Sequence, residues 1–363
     1  MVTPTLGFLA NCWLVHGRAG TAISGGEAFL NRALITGITG QDGSYLSELL
    51  LAKGYEVHGL VRRGSTPNTT RIDHLLARPE YSERLTLHHG DLLDSASIHQ
   101  VIERALPDEV YHLGAQSDVA ASFKIPEYTF EATALATFRM LEALRLAGRP
   151  VRFYQAGSSE MFGEVHGESQ DETTPFHPRS PYAVAKVFAH QTTVNYREAY
   201  GMFCTNGILF NHESPRRGEG FVTRKISLAV ARIVAGQQDR VFLGNRAARR
   251  DWGYAPEYVE GMWALLQHDR PGDFVLATGE THSVEEFAAE AFRCVGLDWR
   301  DCVDYDPRLE RPSEVDWLCG NASRAEEALG WRARTRFADL VRLMVEADLR
   351  LTGVNPDRVL VNG

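Results

Sequence analysis

Short apolar runs alternate with longer stretches of helical periodicity along most of this chain. Residues 33–35 (Ala-Leu-Ile) form the first run, which reads as a buried parallel strand. Residues 44–53 come next with leucines at helical spacing, and Gly54 ends them. Residues 55–61, 85–89, 109–113 and 151–155 read as four more strands. Ser95 can cap a helix that runs through Arg104, and a longer helix is expected over 126–147 with Gly148 at its end. Further helices are expected from Pro181 onward and over 224–235, 257–267, 284–295 and 337–351, with short strands at 240–243 and 274–277. Trp252, Trp263, Trp299, Trp317 and Trp331 read as core or pocket walls. The alternation predicts an α/β fold: a Rossmann-like, doubly wound parallel sheet with helices on both faces and ligands at the carboxyl ends of its strands.

The loop after the first strand carries three glycines at three-residue spacing, Gly37, Gly40 and Gly43. Glycine takes tight turns and lets a pyrophosphate approach the backbone, while the helix behind it offers free N–H groups. Strand, glycine turn and helix together point to a dinucleotide. An acidic residue at the end of strand two would mark NAD, but Arg62 and Arg63 stand there. Arginine forks suit a 2′-phosphate, so NADP is expected.

Strand five runs into Ala156-Gly157-Ser158-Ser159-Glu160, and a Gly- and Pro-rich loop leads to Tyr182 and Lys186. Four residues apart, Tyr182 and Lys186 share one helix face. A lysine ammonium beside a phenol is expected to lower the tyrosine pKa from about 10 toward neutrality.

Composition narrows the field. The chain has 363 residues, 44% of them hydrophobic, enough for one large core or two intermixed ones. A net charge of −9 argues against nucleic-acid binding. The five cysteines are scattered, which fits a reducing cytoplasm, and no metal-ligand spacing appears. Residues 1–31 do not match the alternating pattern of the remaining chain and are expected to be a poorly ordered extension. Their apolar part, 6–15, is too short to span a membrane.

The glycine turn with Tyr182-x-x-x-Lys186 resembles the extended short-chain dehydrogenase/reductase superfamily and, within it, the GDP-mannose 4,6-dehydratase family. The similar segments are ALITGITGQDGSYL (33–46), RIDHLL (71–76), FYQAGSSEMFG (153–163), RSPYAVAK (179–186) and NGILFNHESPRRG (206–218). FVTRKI (221–226), RRDWG (249–253), ATGETHSV (277–284) and RPSEVD (311–316) continue it, so that it spans about residues 32–348. The resemblance implies an NADP-binding domain over 32–211, with a returning part near 255–278, and a mainly substrate-binding domain over 212–363. It implies Ser158, Glu160, Tyr182 and Lys186 as the catalytic set. Gly37, Gly40, Gln41, Asp42 and Gly43 would hold the pyrophosphate side of NADP, and Arg62 the 2′-phosphate. Asp91 and Leu92 would flank adenine, while Leu113, Ala115, Ser117 and His212 would line the cofactor cleft. Asn211, Lys225, Arg250, Arg311 and Glu314 would take the GDP part of GDP-mannose. Read from charge alone, Lys225, Arg250 and Arg311 are three separated cations that could converge on a diphosphate in an otherwise acidic chain.

Ser158 stands where many members have Thr, and Asp118 where many have His. The implied reaction makes GDP-4-dehydro-6-deoxy-D-mannose and water, with Glu160 as the base at C5. A GDP-heptose dehydratase, a nucleotide-sugar 4-epimerase, a dTDP- or UDP-sugar dehydratase and a non-catalytic NADP sensor are the alternatives. The epimerase needs no Glu160, the dTDP- and UDP-sugar enzymes typically carry Asp-Glu where Ser159-Glu160 stands, and the sensor needs none of the four catalytic residues. Family members are homodimers or homotetramers, which makes helices 126–147 and 181–200 the expected dimer faces and places the 63–71 loop at a subunit interface.

Overall fold

Seven strands make one sheet in the computed structural model, which describes residues 31–66, 68–165 and 169–361. The expected N-terminal extension therefore lies outside the described residues, apart from Asn31. The strands are β1 (Arg32–Thr36), β2 (Glu56–Val61), β3 (Leu85–His89), β4 (Glu109–His112), β5 (Arg152–Ala156), β6 (Cys204–Leu209) and β7 (Asp273–Leu276). They lie side by side as β7-β6-β5-β4-β1-β2-β3, every pair parallel. The order reverses at β1, whose Ile35 pairs with Gly59 of β2 on one side and Tyr111 of β4 on the other. A crevice opens at the carboxyl ends of the strands there, at the switch point of the topology.

Helix α1 (Gln41–Ala52) starts three residues before the expected Ser44, because Gly40 is already extended and serves as its N-cap. Helix α2 (Ser95–Ala105) is capped by Asp94, not Ser95: the Asp94 carboxylate accepts from the Ala96 N–H at 3.0 Å. The 126–147 segment is one helical run, α3, with a π turn at Glu131–Leu135, and it ends on Gly148 in the left-handed conformation. Helix α4 (Pro181–Tyr200) has Pro181 in its first turn and a Ser180 cap bonded to the Ala183 N–H at 3.1 Å.

Strand β6 escapes the hydrophobic pattern. Thr205, Asn206 and Gly207 interrupt it, yet Thr205 and Asn206 are fully buried. Their donors are paired inside the sheet: the Thr205 hydroxyl donates to the Gly272 carbonyl at 3.0 Å and the Asn206 amide NH2 to Asp273 at 2.8 Å. Burying a polar group costs little once it is hydrogen-bonded.

After β6 the chain builds a second core from α5 (Val222–Val234), α7 (Val284–Arg293) and α8 (Phe337–Leu351). Ile226, Val230, Trp252, Phe287, Phe292 and Met344 are buried there together, each such side chain contributing roughly 1.5–3 kcal/mol of transfer free energy. Between α5 and α7 the chain returns to the first core. Helix α6 (Ala255–Gln267) packs on α1 and delivers β7 to the sheet edge. Trp331 is buried against this return, whereas Trp317 is exposed, correcting its expected place in the core, with the Arg249 guanidinium over its ring. Among the described residues no helix is long and apolar enough to cross a membrane.

Candidate active site

A cavity of about 660 Å³ opens at the carboxyl ends of β1, β4, β5 and β6 and continues into the second lobe. Its floor is the glycine turn. Gly37 has φ +72°, and a Cβ there would lie 2.9 Å from the Gly114 nitrogen. A Cβ on Gly43 would lie 2.3 Å from the Gly37 carbonyl oxygen, so the helix could not sit this close to the turn. Gln41, Asp42 and Gly43, the first turn of α1, line the crevice.

Two side chains of that turn point elsewhere. Gln41 donates to the His212 carbonyl at 3.0 Å and accepts from Ser214 at 2.8 Å. Asp42 pairs with His212 Nε2 at 2.9 Å. His212 Nδ1 faces the Phe210 carbonyl at 2.7 Å, and the ring stacks on Tyr258. Both ring nitrogens face acceptors, so both carry protons. Burial alone would push His212 down, but the Asp42 charge and hydrogen bond turn the net shift upward. Burial would likewise push Asp42 up, but His212, Gln41 and Arg217 outweigh it and hold the carboxyl at about 2. The pair ties the glycine turn to segment 210–214, which leads into the second lobe.

At the end of β5, Ser158 caps the short turn Ser159–Met161, accepting from the Glu160 N–H at 3.3 Å. The cap fixes Glu160 in the cavity wall, with its side chain nearly buried. Tyr182 and Lys186 enter from the first turns of α4, as their spacing requires. The Lys186 ammonium donates to the Ala156 carbonyl at 2.6 Å and lies 5.8 Å from the Tyr182 ring centre.

The expectation for Tyr182 is overturned here. Burial raises its phenol to about 12; the Ser158 hydrogen bond opposes this and the Glu160 charge adds to it. Lys186, lowered by its own burial to about 8, is committed to a backbone carbonyl. The chain's own groups therefore keep Tyr182 a neutral phenol at pH 7.

The third part is a cluster of alternating charge. Arg250 and Arg311 lie 3.8 and 3.7 Å from one oxygen of Glu160. The same two guanidiniums meet Glu314 at 3.0 and 3.2 Å. Arg250 also donates to the Val315 and Arg249 carbonyls, which locks it in place. The next residue, Asp251, is fully buried and accepts from Thr278 and from the backbone N–H groups of Gly279 and Gly320. Lys225 and Asn211 line the cavity nearby. Burial lowers Lys225, with Asp306 opposing.

All the residues expected at a site line this cavity except Arg62, Asp91 and Leu92. These three come after β2 and β3, beyond its edge. Arg62 is exposed and donates to the Tyr128 hydroxyl at 2.8 Å, and Leu92 lies against Gly114. Asp118, the other departure from the family pattern, caps the helix Val119–Ser122 through the Ala121 N–H. Arg71 and Arg217 also line the cavity and were missed as site residues. Both sat in segments that carried the resemblance, RIDHLL and NGILFNHESPRRG; an arginine inside a glycine- and proline-bounded turn was the available signal.

Comparison with known proteins gives the family. Residues 34–344 match the family model described as GDP-mannose 4,6 dehydratase. The chain is 56% identical over 336 residues to GDP-mannose 4,6 dehydratase 2 of Arabidopsis thaliana, covering 91% of this chain and 89% of that protein. It is 51% identical over 348 residues to GDP-mannose 4,6 dehydratase of Homo sapiens, covering 90% and 94%. Among solved structures, a UDP-glucose 4-epimerase of Thermus thermophilus in complex with NAD superposes with a TM-score of 0.74 at 26% identity, covering 87% of this chain and 98% of that one.

Proposed function

The chain belongs to the GDP-mannose 4,6-dehydratase family, and on that premise we propose that it is a hydro-lyase acting on GDP-α-D-mannose with NADP as a resident cofactor. The products are GDP-4-dehydro-6-deoxy-α-D-mannose and water. The observation that carries this reading is Glu160: a nearly buried carboxylate in the cavity wall, next to Ser158 and on the same cleft as Tyr182. Plain oxidation or epimerisation at C4 has no use for it.

The residues present fit a dinucleotide. The glycine turn is a cradle that a Cβ at Gly37 or Gly43 would fill, and α1 begins at its mouth. Arg62 and Arg63, both exposed at the end of β2 where no acid stands, favour NADP over NAD. When bound, the dinucleotide supplies a hydride acceptor at C4 that gives the same hydride back at C6, so none is consumed.

The chain's own part is proton traffic. Tyr182, hydrogen-bonded with Ser158, receives the proton of the C4 hydroxyl as the phenolate, a form that the chain's own groups disfavour and that the positive charge of a bound oxidised dinucleotide would favour. Lys186 stays below the ring as a fixed charge on the Ala156 carbonyl. Once C4 is a ketone, the C5 proton is acidic. Glu160 removes it and passes it to the C6 hydroxyl, which leaves as water, and the proton taken up by Tyr182, or one from solvent, later returns to C5. Arg250 and Arg311 both lie within 3.8 Å of one Glu160 oxygen, and with Lys225, Asn211 and Glu314 they present the polar wall for the GDP part.

Two further statements belong to this reading. The protein works in the cytoplasm, as its scattered free thiols suit. It also works as a homo-oligomer: α3 and α4 pack side by side and leave Phe138, Leu146, Val184, Phe188 and Tyr200 exposed, an apolar face suited to a second copy.

One assay tests the activity. Purified protein is incubated with GDP-mannose and no added cofactor, and the product is monitored by NMR. The 6-deoxy-4-keto sugar is expected; unchanged GDP-mannose, with added NADP also failing, would overturn the reading.

A further inference from the structure

Arg71 stands out in a crowd of arginines around the glycine turn. Arg216 is paired with Glu48 at 2.5 Å, Arg217 with Glu213 at 3.0 Å, and Arg224 with Asp348 at 2.7 Å. Arg71 has no carboxylate within ion-pair distance among the described residues. Its Nε donates to the Arg216 carbonyl at 2.8 Å and its Nη1 to the Thr39 carbonyl at 3.4 Å. A guanidinium carries five N–H donors, so three remain uncommitted. Burial, then the charges of Arg224 and Arg216, push its pKa below the usual arginine value. That is the mark of a cation packed among cations.

Its position says which anion would relieve this. Thr39 lies inside the glycine turn, between Gly37 and Gly40, and Arg71 lines the cavity beside Thr39 and Gly40. The end of β2, where a 2′-phosphate is expected, holds Arg62 instead. The Glu160–Arg250–Arg311–Glu314 cluster belongs to the sugar-nucleotide side. Arg71 reaches neither: its side chain bonds to the glycine turn and to the 214–217 turn.

We propose that Arg71 is a binding residue for the pyrophosphate of the dinucleotide, clamping the glycine turn with two hydrogen bonds and turning its remaining donors to the phosphates. The proposal rests on the cofactor reading above. It adds a side-chain charge to a site that the glycine pattern describes as backbone alone. It also explains why a half-buried arginine without a counter-charge is tolerated: the ligand brings the counter-charge.

The test is binding, measured by fluorescence titration with NADPH and NADH, and by calorimetry with GDP, on the full chain stripped of nucleotide. Arg71→Ala should weaken NADPH and NADH by the same factor, about tenfold or more, and leave GDP within about twofold. Arg71→Gln keeps a donor for the Thr39 carbonyl but no charge, and should lose as much; Arg71→Lys should recover part. The affinity of the wild type for NADPH should fall more steeply with salt than that of Arg71→Gln. A loss confined to NADPH would reassign Arg71 to the 2′-phosphate, a loss confined to GDP would reassign it to the substrate, and unchanged affinities in a folded Arg71→Gln would leave it no binding role. Each of these overturns the proposal. Failure of the wild type to bind either dinucleotide would instead sink the cofactor reading itself.

Discussion

The two halves of the cavity are built in different ways. On the side read as the cofactor's, residues 36–43 form a continuous turn whose shape depends on missing Cβ atoms. On the substrate side, Glu160, Arg250, Arg311 and Glu314 come from three distant segments and meet as side chains at 3.0–3.8 Å. A backbone site is stiff and indifferent to most neighbours, and it fails when a side chain intrudes. A charge cluster is adjustable, and each member depends on the others for its position. The same contrast separates Tyr182 from Glu160. The tyrosine is placed by helix periodicity within α4, whereas the carboxylate needs the Ser158 cap and two arginines.

The comparison is tested hardest at Glu160. Glu160→Gln should lose about 10²–10⁴ in dehydration rate, the usual worth of a positioned base. It should still oxidise C4, so absorbance of the reduced dinucleotide builds up when GDP-mannose is added, while Tyr182→Phe should show little of it. In heavy water the wild-type product should carry deuterium at C5. Dehydration at the wild-type rate by Glu160→Gln would remove the carboxylate from the mechanism.

On the backbone side, Gly43→Ala places a methyl 2.3 Å from the Gly37 carbonyl. Overpacking of this kind costs about 1–3 kcal/mol, so dinucleotide affinity should fall about ten- to a hundredfold while GDP binding holds. Equal loss of both would show the two halves to be one coupled unit.

Replacing Arg62 and Arg63 with Ala should cost NADP binding about tenfold and NAD binding little. Equal losses would take the 2′-phosphate away from these residues.

The smallest effect lies at the seam, in Asp42–His212. Asp42 is depressed to about 2, so its contribution to stability is present above its unfolded pKa and lost as pH falls through about 2. His212 is raised, so its contribution is complete below its unfolded value and lost as pH rises through the folded one. The pair should therefore add about 1–2 kcal/mol between roughly pH 4 and 6.5, read as the difference in denaturant midpoint between wild type and Asp42→Asn across that window. The difference should be largest in that window and shrink as pH falls below about 4 or rises through the folded His212 pKa; a difference that is the same inside and outside the window would mean the pair is not an ion pair.

Much of this molecule was legible in one dimension. The strand–turn–helix of residues 33–53, strand 85–89, helix 337–351 and the Tyr182–Lys186 spacing depend on local periodicity and on glycine's lack of a side chain, and both are properties of short segments. The start of α1 after Gly40 and the cap at Asp94 were misplaced by a few residues or by one, because capping is decided by which side chain actually reaches a free N–H. Strand β6 went unread because Thr205 and Asn206 break its apolar run, and the groups they donate to, on Gly272 and Asp273, lie nearly seventy positions away.

What the amino-acid sequence determined by itself was the alternating fold, the glycine turn between β1 and α1, and the spacing that puts Tyr182 and Lys186 on one helix face. The tertiary structure alone decided their states and partners. It buried Tyr182 enough to hold its phenol at about 12, turned Lys186 onto a carbonyl, set Glu160 between two arginines, and left Arg71 without a counter-charge. Chemical type and local period travel with the sequence, but burial and the distance between charges exist only once remote segments have met.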